Sequence, residues 1–265
     1  MKLNNVTAQQ GYVWIRQGIW LFKQNPLGFL MLVFLYIFLV QLAILIPVVG
    51  VFAILLITPS LQFGFMTGCR QTIQKIRLSP LVYLVGLRSS GPLVRKRLLQ
   101  LGLIHTSLIL VLSFIASFFV DVQVLLPALT GDKPLGIEII KQMYVVLGIV
   151  VALYIPIGML MWFSPILVGW EDMPVTQALF SSWIACWRNR NAFIIYLLIW
   201  GTLLVAVPLL LSTVFEALNF SEVGSFVIAP ISMACMTVLY CSAFATWKNC
   251  FTDSAATSNP DEISD

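Results

Sequence analysis

The chain has 265 residues, of which 60% are hydrophobic and only 10% are charged, and its mean hydropathy is +0.96. A soluble domain carries about a quarter charged residues, and even a large soluble fold cannot bury this much apolar surface. The composition therefore excludes a water-soluble protein and predicts an integral membrane protein. One histidine and eleven acidic residues also leave few groups for acid–base catalysis.

Six apolar segments are long enough to cross a bilayer as helices. About 20 apolar residues span the hydrocarbon core of about 30 Å, and a helix satisfies its own backbone polar groups in lipid. The predicted spans are residues 27–46, 48–69, 98–120, 143–163, 192–215 and 225–244. We predict an all-α, polytopic membrane helix bundle in which residues 1–251 form one membrane domain. The polar residues 252–265 are expected to form a disordered cytoplasmic tail.

The basic residues are sorted to one side of this topology. Of the fifteen Lys and Arg residues, only Lys133 and Lys141 fall on the side opposite the N-terminus, which leaves thirteen on the side of the N-terminus. Cytoplasmic segments of membrane proteins carry an excess of Lys and Arg. The bias therefore predicts that the N-terminus and the C-terminus both lie in the cytoplasm.

Similar segments before the spans suggest an internal repeat. Residues 14–29 and 179–194 each combine aromatic residues at helical spacing with a basic residue and lead into a long apolar span. This pattern is typical of a helix that lies in the membrane interface. Residues 80–97 occupy the equivalent position and match less closely. We therefore predict three cytoplasmic-face amphipathic helices in a threefold internal pseudo-repeat, with units of about 8–69, 71–169 and 174–247.

The second span of each predicted unit contains a proline, at Pro59, Pro165 and Pro230. Proline removes one backbone hydrogen bond and clashes with the preceding turn, and such breaks persist in membranes where protein or water satisfies the freed carbonyl groups. The prolines are interpreted either as kinks that shape the bundle or as broken helices around a substrate path, as in many transporters.

Three polar residues inside the spans are candidates for a small polar cavity: Gln41, Gln62 and His105. The alternative for the two glutamines is a hydrogen bond to a neighbouring helix. His105 has the same alternative as a neutral imidazole, beside a role as a gate, proton relay or ligand contact.

Four cations stand immediately before the third span: Arg88, Arg95, Lys96 and Arg97. Each Lys or Arg near the surface is attracted to anionic headgroups by about 1 kcal/mol. The cluster is interpreted either as a plain topology determinant or as a contact for anionic lipid or for a membrane-protein partner. Further along, Asp172 and Pro174 predict the capped start of an amphipathic helix.

Two segments resemble a known but uncharacterised family, namely FGFMTGCRQ (63–71) and WFSPILVGWEDMPVTQALFSSWIACWRNRNAF (162–193). The family consists of six-helix proteins of the bacterial inner membrane, and it is distantly similar to the multi-span region attached to some glycerophosphodiester phosphodiesterases. The resemblance covers about residues 10–250 and implies a location in that membrane. It carries over no catalytic residue, because none is established for the family and the soluble phosphodiesterase domain is absent.

No nucleotide-binding loop, zinc-protease motif or nucleophile elbow occurs in the sequence, and the five cysteines form no metal-binding spacing. We expect no cofactor, no nucleic-acid partner and no enzymatic activity. The first functional hypothesis is a non-enzymatic structural, accessory or lipid-interacting protein. The alternative is a passive transporter, channel or lipid-translocating component that uses broken helices around Pro59, Pro165 and Pro230, and a membrane enzyme is the third class considered.

Overall fold

The computed structural model describes residues 2–89, 91–120, 136–218 and 220–252. Most of these residues are helical, which confirms the predicted all-α bundle. The predicted disordered tail lies outside the described residues except for Thr252. The helices are α1 (Gln10–Gln24), α2 (Pro26–Ile44), α3 (Val49–Ile73), α4 (Pro92–Ser117), α5 (Ile137–Met161), α6 (Ser164–Trp170), α7 (Val175–Arg188), α8 (Arg190–Ala217) and α9 (Ser221–Cys250).

Six helical stretches of the described chain are long and apolar enough to cross a membrane. They are α2, α3, α4, α5 continued by α6, α8, and the greater part of α9. Each overlaps one predicted span because apolar length dictates where a chain can cross lipid. Helix α4 begins at Pro92, so the cations at 95–97 belong to the first turns of a spanning helix rather than to a loop.

The two ends of the described chain meet at one end of the bundle. Strand β1 (Lys2–Leu3) pairs in antiparallel fashion with strand β2 (Phe251–Thr252). The buried Asn189 side chain ties the N-terminal segment to the start of α8, since its Oδ1 accepts from the backbone N of Val6 at 2.8 Å and its Nδ2 donates to the carbonyl of Asn4 at 3.1 Å. An even number of crossings brings the first and last residues to the same side, as this pairing requires.

Helix α1 packs against α8 and α9 at this end of the bundle. A Cβ atom added to Gly11 would lie 2.4 Å from the carbonyl oxygen of Ala192, and one added to Gly18 would lie 2.4 Å from the Cβ of Ser242. Only glycine permits these close approaches, and they leave Trp14 fully buried between the helices. The outward face of α1 carries the exposed apolar residues Tyr12, Ile19 and Trp20.

The third amphipathic helix, predicted at residues 80–97, is not present as an α-helix, so that prediction is wrong. The chain instead forms a short 3-10 turn (Pro80–Leu84), a π-helical turn (Val85–Ser89) and then the start of α4 at Pro92. Proline cannot donate a backbone hydrogen bond and disfavours helix in the residue before it. A new helical segment therefore begins at Pro80 and another at Pro92, and no single α-helix covers residues 80–97. The predicted threefold pseudo-repeat therefore lacks this common feature and stays a prediction.

Of the three prolines predicted to break spans, only Pro165 lies beside a break. Helix α3 continues through Pro59 and α9 continues through Pro230. Pro59 and Pro165 are buried whereas Pro230 is exposed, so the three prolines do not share one environment. The predicted set of three broken helices is therefore wrong. A helix can continue past a proline because only one hydrogen bond is lost and other groups can satisfy the freed carbonyl.

The break between α5 and α6 is caused by a serine from α7. The Ser182 hydroxyl accepts a hydrogen bond from the backbone N of Phe163 at 3.0 Å and donates one to the carbonyl of Met159 at 2.7 Å. In a continuous helix those two backbone groups would bond to each other. A side chain inserted into the backbone ladder is a recognised cause of a sharp kink.

We expect Ser182→Ala to lower the free energy of unfolding by about 1–3 kcal/mol, because it removes the partner of two buried backbone groups. Unfolding in dodecyl sulfate, followed by tryptophan fluorescence, measures the change. Ser181→Ala is the matched control, since Ser181 is the preceding, only half-buried residue of α7. Identical unfolding curves for the two variants would contradict this role of Ser182.

Candidate functional site

A cavity of about 370 Å³ lies inside the bundle, among residues of α2, α3, α4, α5, α8 and α9. Its wall is mostly apolar and aromatic. Pockets that bind small molecules have volumes of about 300–1,000 Å³ and apolar walls with a few well-placed polar groups. The cavity therefore has the size and composition of a ligand site. It is lined by five of the seven tyrosines of the chain, Tyr36, Tyr83, Tyr154, Tyr196 and Tyr240.

Two of the three residues predicted to form a polar cavity meet in this wall. Gln62 from α3 and His105 from α4 both line it. Gln41 does not, and its side chain is exposed near the end of α2. The reason is helical geometry, since Gln41 stands about 140° round the helix from Tyr36, which does face the cavity. Gln41 is therefore removed from the candidate site.

The partner of His105 is explained by Pro59 on the neighbouring helix. Proline has no N–H, so the carbonyl of Leu55, four residues earlier, loses its helical donor. The His105 Nδ1 lies 3.2 Å from that carbonyl oxygen. Because a carbonyl can only accept, Nδ1 carries the proton and Nε2 of the neutral ring is an acceptor. One turn before His105, Gly102 lets the backbones touch, since an added Cβ would lie 1.9 Å from the carbonyl oxygen of Leu56.

Gln62 likewise hydrogen-bonds a backbone carbonyl, at the break between α5 and α6. Its Nε2 donates to the carbonyl of Trp162 at 2.9 Å, and the Trp162 indole in turn donates to Thr246 Oγ1 on α9 at 3.0 Å. These two bonds link three spanning helices around one side of the cavity. The Oε1 atom of Gln62 is an acceptor and is not used in the bond to Trp162.

The tyrosines divide into an anchored pair and an outer group. Tyr83 donates to the carbonyl of Leu32 at 3.0 Å, and Tyr196 lies 2.7 Å from the Ser242 hydroxyl. Burial, aided by neighbouring phenols, raises the pKa of Tyr83, which keeps its hydroxyl protonated as a donor. Tyr154 is 49% exposed although it lines the cavity, so the cavity opens to the outer surface of the bundle beside α5.

These tyrosines were missed by the reasoning from sequence. Tyrosine usually marks the ends of membrane helices, and Tyr36, Tyr154 and Tyr240 instead stand well inside α2, α5 and α9. Their mid-helix position was the available signal. Nothing in the spacing along the chain shows that three different helices bring them together.

The basic end of the bundle is defined here as the end that holds β1, β2, α1 and α7. Of the described cations, Lys141 alone stands toward the opposite end, near the start of α5. This distribution reproduces the sorting of charge expected from the sequence. The exposed cations of the basic end are Arg16, Lys23, Arg70, Lys75, Arg77, Arg88, Arg95, Lys96, Arg188, Arg190 and Lys248.

The four-residue basic cluster is divided by the structure. Arg88, Arg95 and Lys96 are exposed, whereas Arg97 bonds to Asp172 before α7, with Nη1 2.5 Å from Oδ1 and 2.6 Å from the backbone oxygen. Asp172 was predicted to cap α7, but that helix begins after Pro174 without a side-chain cap, so that prediction is wrong. Three cations of the cluster therefore face outward, and the fourth orients the turn before α7.

Aromatic rings mark the level of the interface at the basic end. The Arg70 guanidinium lies 5.3 Å from the centre of the Trp170 ring, and the Arg190 guanidinium lies 5.5 Å from that of Trp187. Trp183 stacks on Trp187 with centroids 6.3 Å apart. Amphipathic indole rings prefer the headgroup level of a bilayer, and cations above their faces are favourable there.

Among the residues that the structure describes, no three His, Cys, Asp or Glu side chains are grouped closely enough to hold a metal ion.

Comparison with known proteins agrees with these features. The chain is 39% identical over 255 residues to a probable inner membrane protein of Burkholderia thailandensis, a match that covers 95% of this chain and 94% of that relative. The chain belongs to this family of inner membrane proteins. No family model matches it, and no solved structure does. The relative's name and the six spans support a multi-pass inner-membrane location, and neither carries a link to a phosphodiesterase.

We expect His105→Leu to destabilise the protein by about 1 kcal/mol, a usual value for a hydrogen bond between membrane helices. Pro59→Ala restores a backbone N–H that can donate to the carbonyl of Leu55. His105→Leu is therefore expected to lower the free energy of unfolding by less in the Pro59→Ala background. A double-mutant cycle of unfolding free energies measures this coupling. Pro208→Ala in α8 is the control proline and is expected to be additive with His105→Leu. Additivity for Pro59 as well would contradict the assigned bond.

Cys186 on α7 is expected to be chemically inert in the folded protein. Burial raises the pKa of its thiol, and the neighbouring Cys250 adds to the effect. Because the thiolate is the reactive form, N-ethylmaleimide at pH 8 should label Cys186 much more slowly in the folded protein than after unfolding in dodecyl sulfate. Peptide mass spectrometry measures both rates, and equal rates would contradict the burial of this residue.

Proposed function

We propose that this protein is a non-enzymatic, lipid-interacting protein of the bacterial inner membrane, with its basic end and both termini in the cytoplasm. The observation that carries the proposal is the gathering of exposed cations at the end that also holds α1 and α7. The cytoplasmic leaflet is rich in anionic lipid and attracts each nearby Lys or Arg by about 1 kcal/mol. A basic surface of this extent is suited to anionic headgroups.

The two amphipathic helices support the same assignment. On α7, Phe180 is 66% exposed and Trp187 is 53% exposed, while Arg188 ends the helix beside them. Large apolar side chains next to cations are typical of a helix whose outer face rests at the headgroup boundary. In this proposal α7 and the outward face of α1 lie at that boundary.

The proposed unit is one membrane domain of about residues 1–251 with a polar cytoplasmic tail. An accessory role would add a membrane-protein partner that docks on the lipid-facing surface. The likeness to the multi-span region of some glycerophosphodiester phosphodiesterases brings no hydrolase activity to this chain, because the residues that would carry it are absent from the sequence.

The second candidate function is a passive transporter, channel or lipid-translocating component. It is favoured by the cavity that Gln62 and His105 line within the spanning helices. The prolines favour it less, because the carbonyl freed by Pro59 is already bonded to His105 and Pro230 is exposed on the outside.

We expect the combined variant Arg88→Gln, Arg95→Gln, Lys96→Gln to retain at least tenfold less phosphatidylglycerol, since the three lost attractions of about 1 kcal/mol each exceed the roughly 1.4 kcal/mol of a tenfold change. Native mass spectrometry of protein released from nanodiscs containing phosphatidylglycerol and phosphatidylcholine measures the retained lipid. Lys141→Gln, at the opposite end of the bundle, is the control and should retain the wild-type amount. Equal losses in both variants, or no loss in either, would contradict the proposal.

The orientation is tested with C-terminal fusions in intact bacteria. A green fluorescent protein fusion is expected to be bright and an alkaline phosphatase fusion inactive, because only a periplasmic phosphatase folds with its disulfides. The reverse result would place the basic end outside the cytoplasm and remove the proposed headgroup contact.

A further inference from the structure

The cavity lies at a depth that lipid tails occupy. Tyr36 stands ten residues after the start of α2, and Tyr240 stands ten residues before the end of α9. Each tyrosine is therefore about 15 Å from the end of its helix that lies at the basic end of the bundle. The hydrocarbon core is about 30 Å thick. The exposed part of Tyr154 therefore faces the bilayer interior, and the opening beside it connects the cavity with lipid rather than with water.

The chemistry of the wall selects against charge. None of the described residues that line the cavity is Asp, Glu, Lys or Arg. A charged group at mid-depth is costly unless an opposite charge or water compensates for it. A molecule that enters from the bilayer and stays here is therefore uncharged.

The same wall offers a few hydrogen-bonding groups within an apolar surface. His105 presents Nε2 as an acceptor because its Nδ1 is committed to the carbonyl of Leu55. Tyr154 can donate or accept at the opening. Gln62 adds its Oε1 atom as a further acceptor. Most of the remaining surface consists of aromatic rings and of aliphatic or thioether side chains, including Val33, Leu61 and Met66. Such a wall suits an apolar chain that carries a small hydroxyl or carbonyl group.

We propose that the cavity binds the headgroup and the adjoining part of the chain of one neutral amphipathic lipid, with a hydroxyl or carbonyl headgroup, that enters sideways from the bilayer past Tyr154, while the rest of the lipid stays in the bilayer. The proposal rests on the lipid-interacting function proposed above and names a second lipid class at a second place. Anionic headgroups contact the basic end, whereas the headgroup of the neutral lipid occupies the space between α2, α5 and α9.

Gly158 offers a way to fill the cavity without deleting any contact. It lines the wall, and an added Cβ would meet only the Tyr154 Cε1 atom, at an ordinary distance of 3.8 Å. Gly158→Leu therefore places a side chain into the free space. Gly148→Leu is the matched control, since Gly148 lies on the same helix, is exposed and has nothing within 4 Å of an added Cβ. Both substitutions replace glycine in a helix, so both favour the folded state.

The experiment uses the full-length protein in nanodiscs and three lipids that carry a photoreactive diazirine on the chain. The probes are a diacylglycerol, a polyprenol and a phosphatidylglycerol, and peptide mass spectrometry locates the labelled residues. We expect at least one neutral probe to label the peptides around Tyr154 and Tyr240. We expect Gly158→Leu to reduce that labelling by about tenfold, which corresponds to about 1.4 kcal/mol of binding free energy, and Gly148→Leu to leave it unchanged.

Labelling of these peptides by the phosphatidylglycerol probe as strongly as by the neutral probes would overturn the proposal. So would neutral labelling that Gly158→Leu does not reduce, or no labelling by either neutral probe. The relative yields of the diacylglycerol and the polyprenol show which kind of neutral lipid is bound.

Tyr154→Phe gives a second test that does not depend on filling the cavity. It removes one hydroxyl at the opening and keeps the ring, so labelling of the Tyr240 peptide should fall about threefold because the lipid headgroup loses one hydrogen bond, and unchanged labelling would contradict a headgroup contact at the opening. The combined Arg88, Arg95 and Lys96 variant should keep full neutral labelling. A loss of neutral labelling in that variant would show that the cavity is not a separate lipid site and would overturn the proposal. If the variant instead retains as much phosphatidylglycerol as the wild type, the proposed function fails and the cavity proposal stands.

Discussion

Backbone groups that lack a helical partner inside the membrane must find one in the protein, because lipid offers none. At two points in this bundle the structure shows such a partner. His105 satisfies the carbonyl freed by Pro59, and Ser182 takes the place of a backbone bond between α5 and α6. Each bond joins a spanning helix to a different element. His105 lines the cavity, and so do Met161 and Trp162 beside the break between α5 and α6. Both irregular points therefore lie next to the cavity wall.

The sequence was informative where one physical quantity decides the outcome. Apolar length predicted the six spans, and the ends of the helices differ from the predicted ends by a few residues, for example where α4 begins at Pro92 and includes the cations at 95–97. Sorting of Lys and Arg predicted which helix ends lie together, and the paired strands at residues 2–3 and 251–252 agree. The short-range pattern was less reliable at residues 80–97, where two prolines outweigh an amphipathic spacing.

The site could be predicted only in part because it depends on contacts between helices that are distant in the chain. Gln62 and His105 were recognised as unusual polar residues inside spans, but their partners, Trp162 and Leu55, follow from how α3 packs against its neighbours. Gln41 has the same chemistry and stands on another side of α2. The chemistry of single residues identifies the candidates, and the position of each residue around its helix determines which of them line the cavity.

The pairing of β1 with β2 has a consequence for how the protein is made. Residues 2–3 leave the ribosome before their partners at 251–252, which are synthesised only after the six spans. The strand pair can therefore form only after the last span has been synthesised, so pairing of β1 with β2 is a late event in the biogenesis of the bundle.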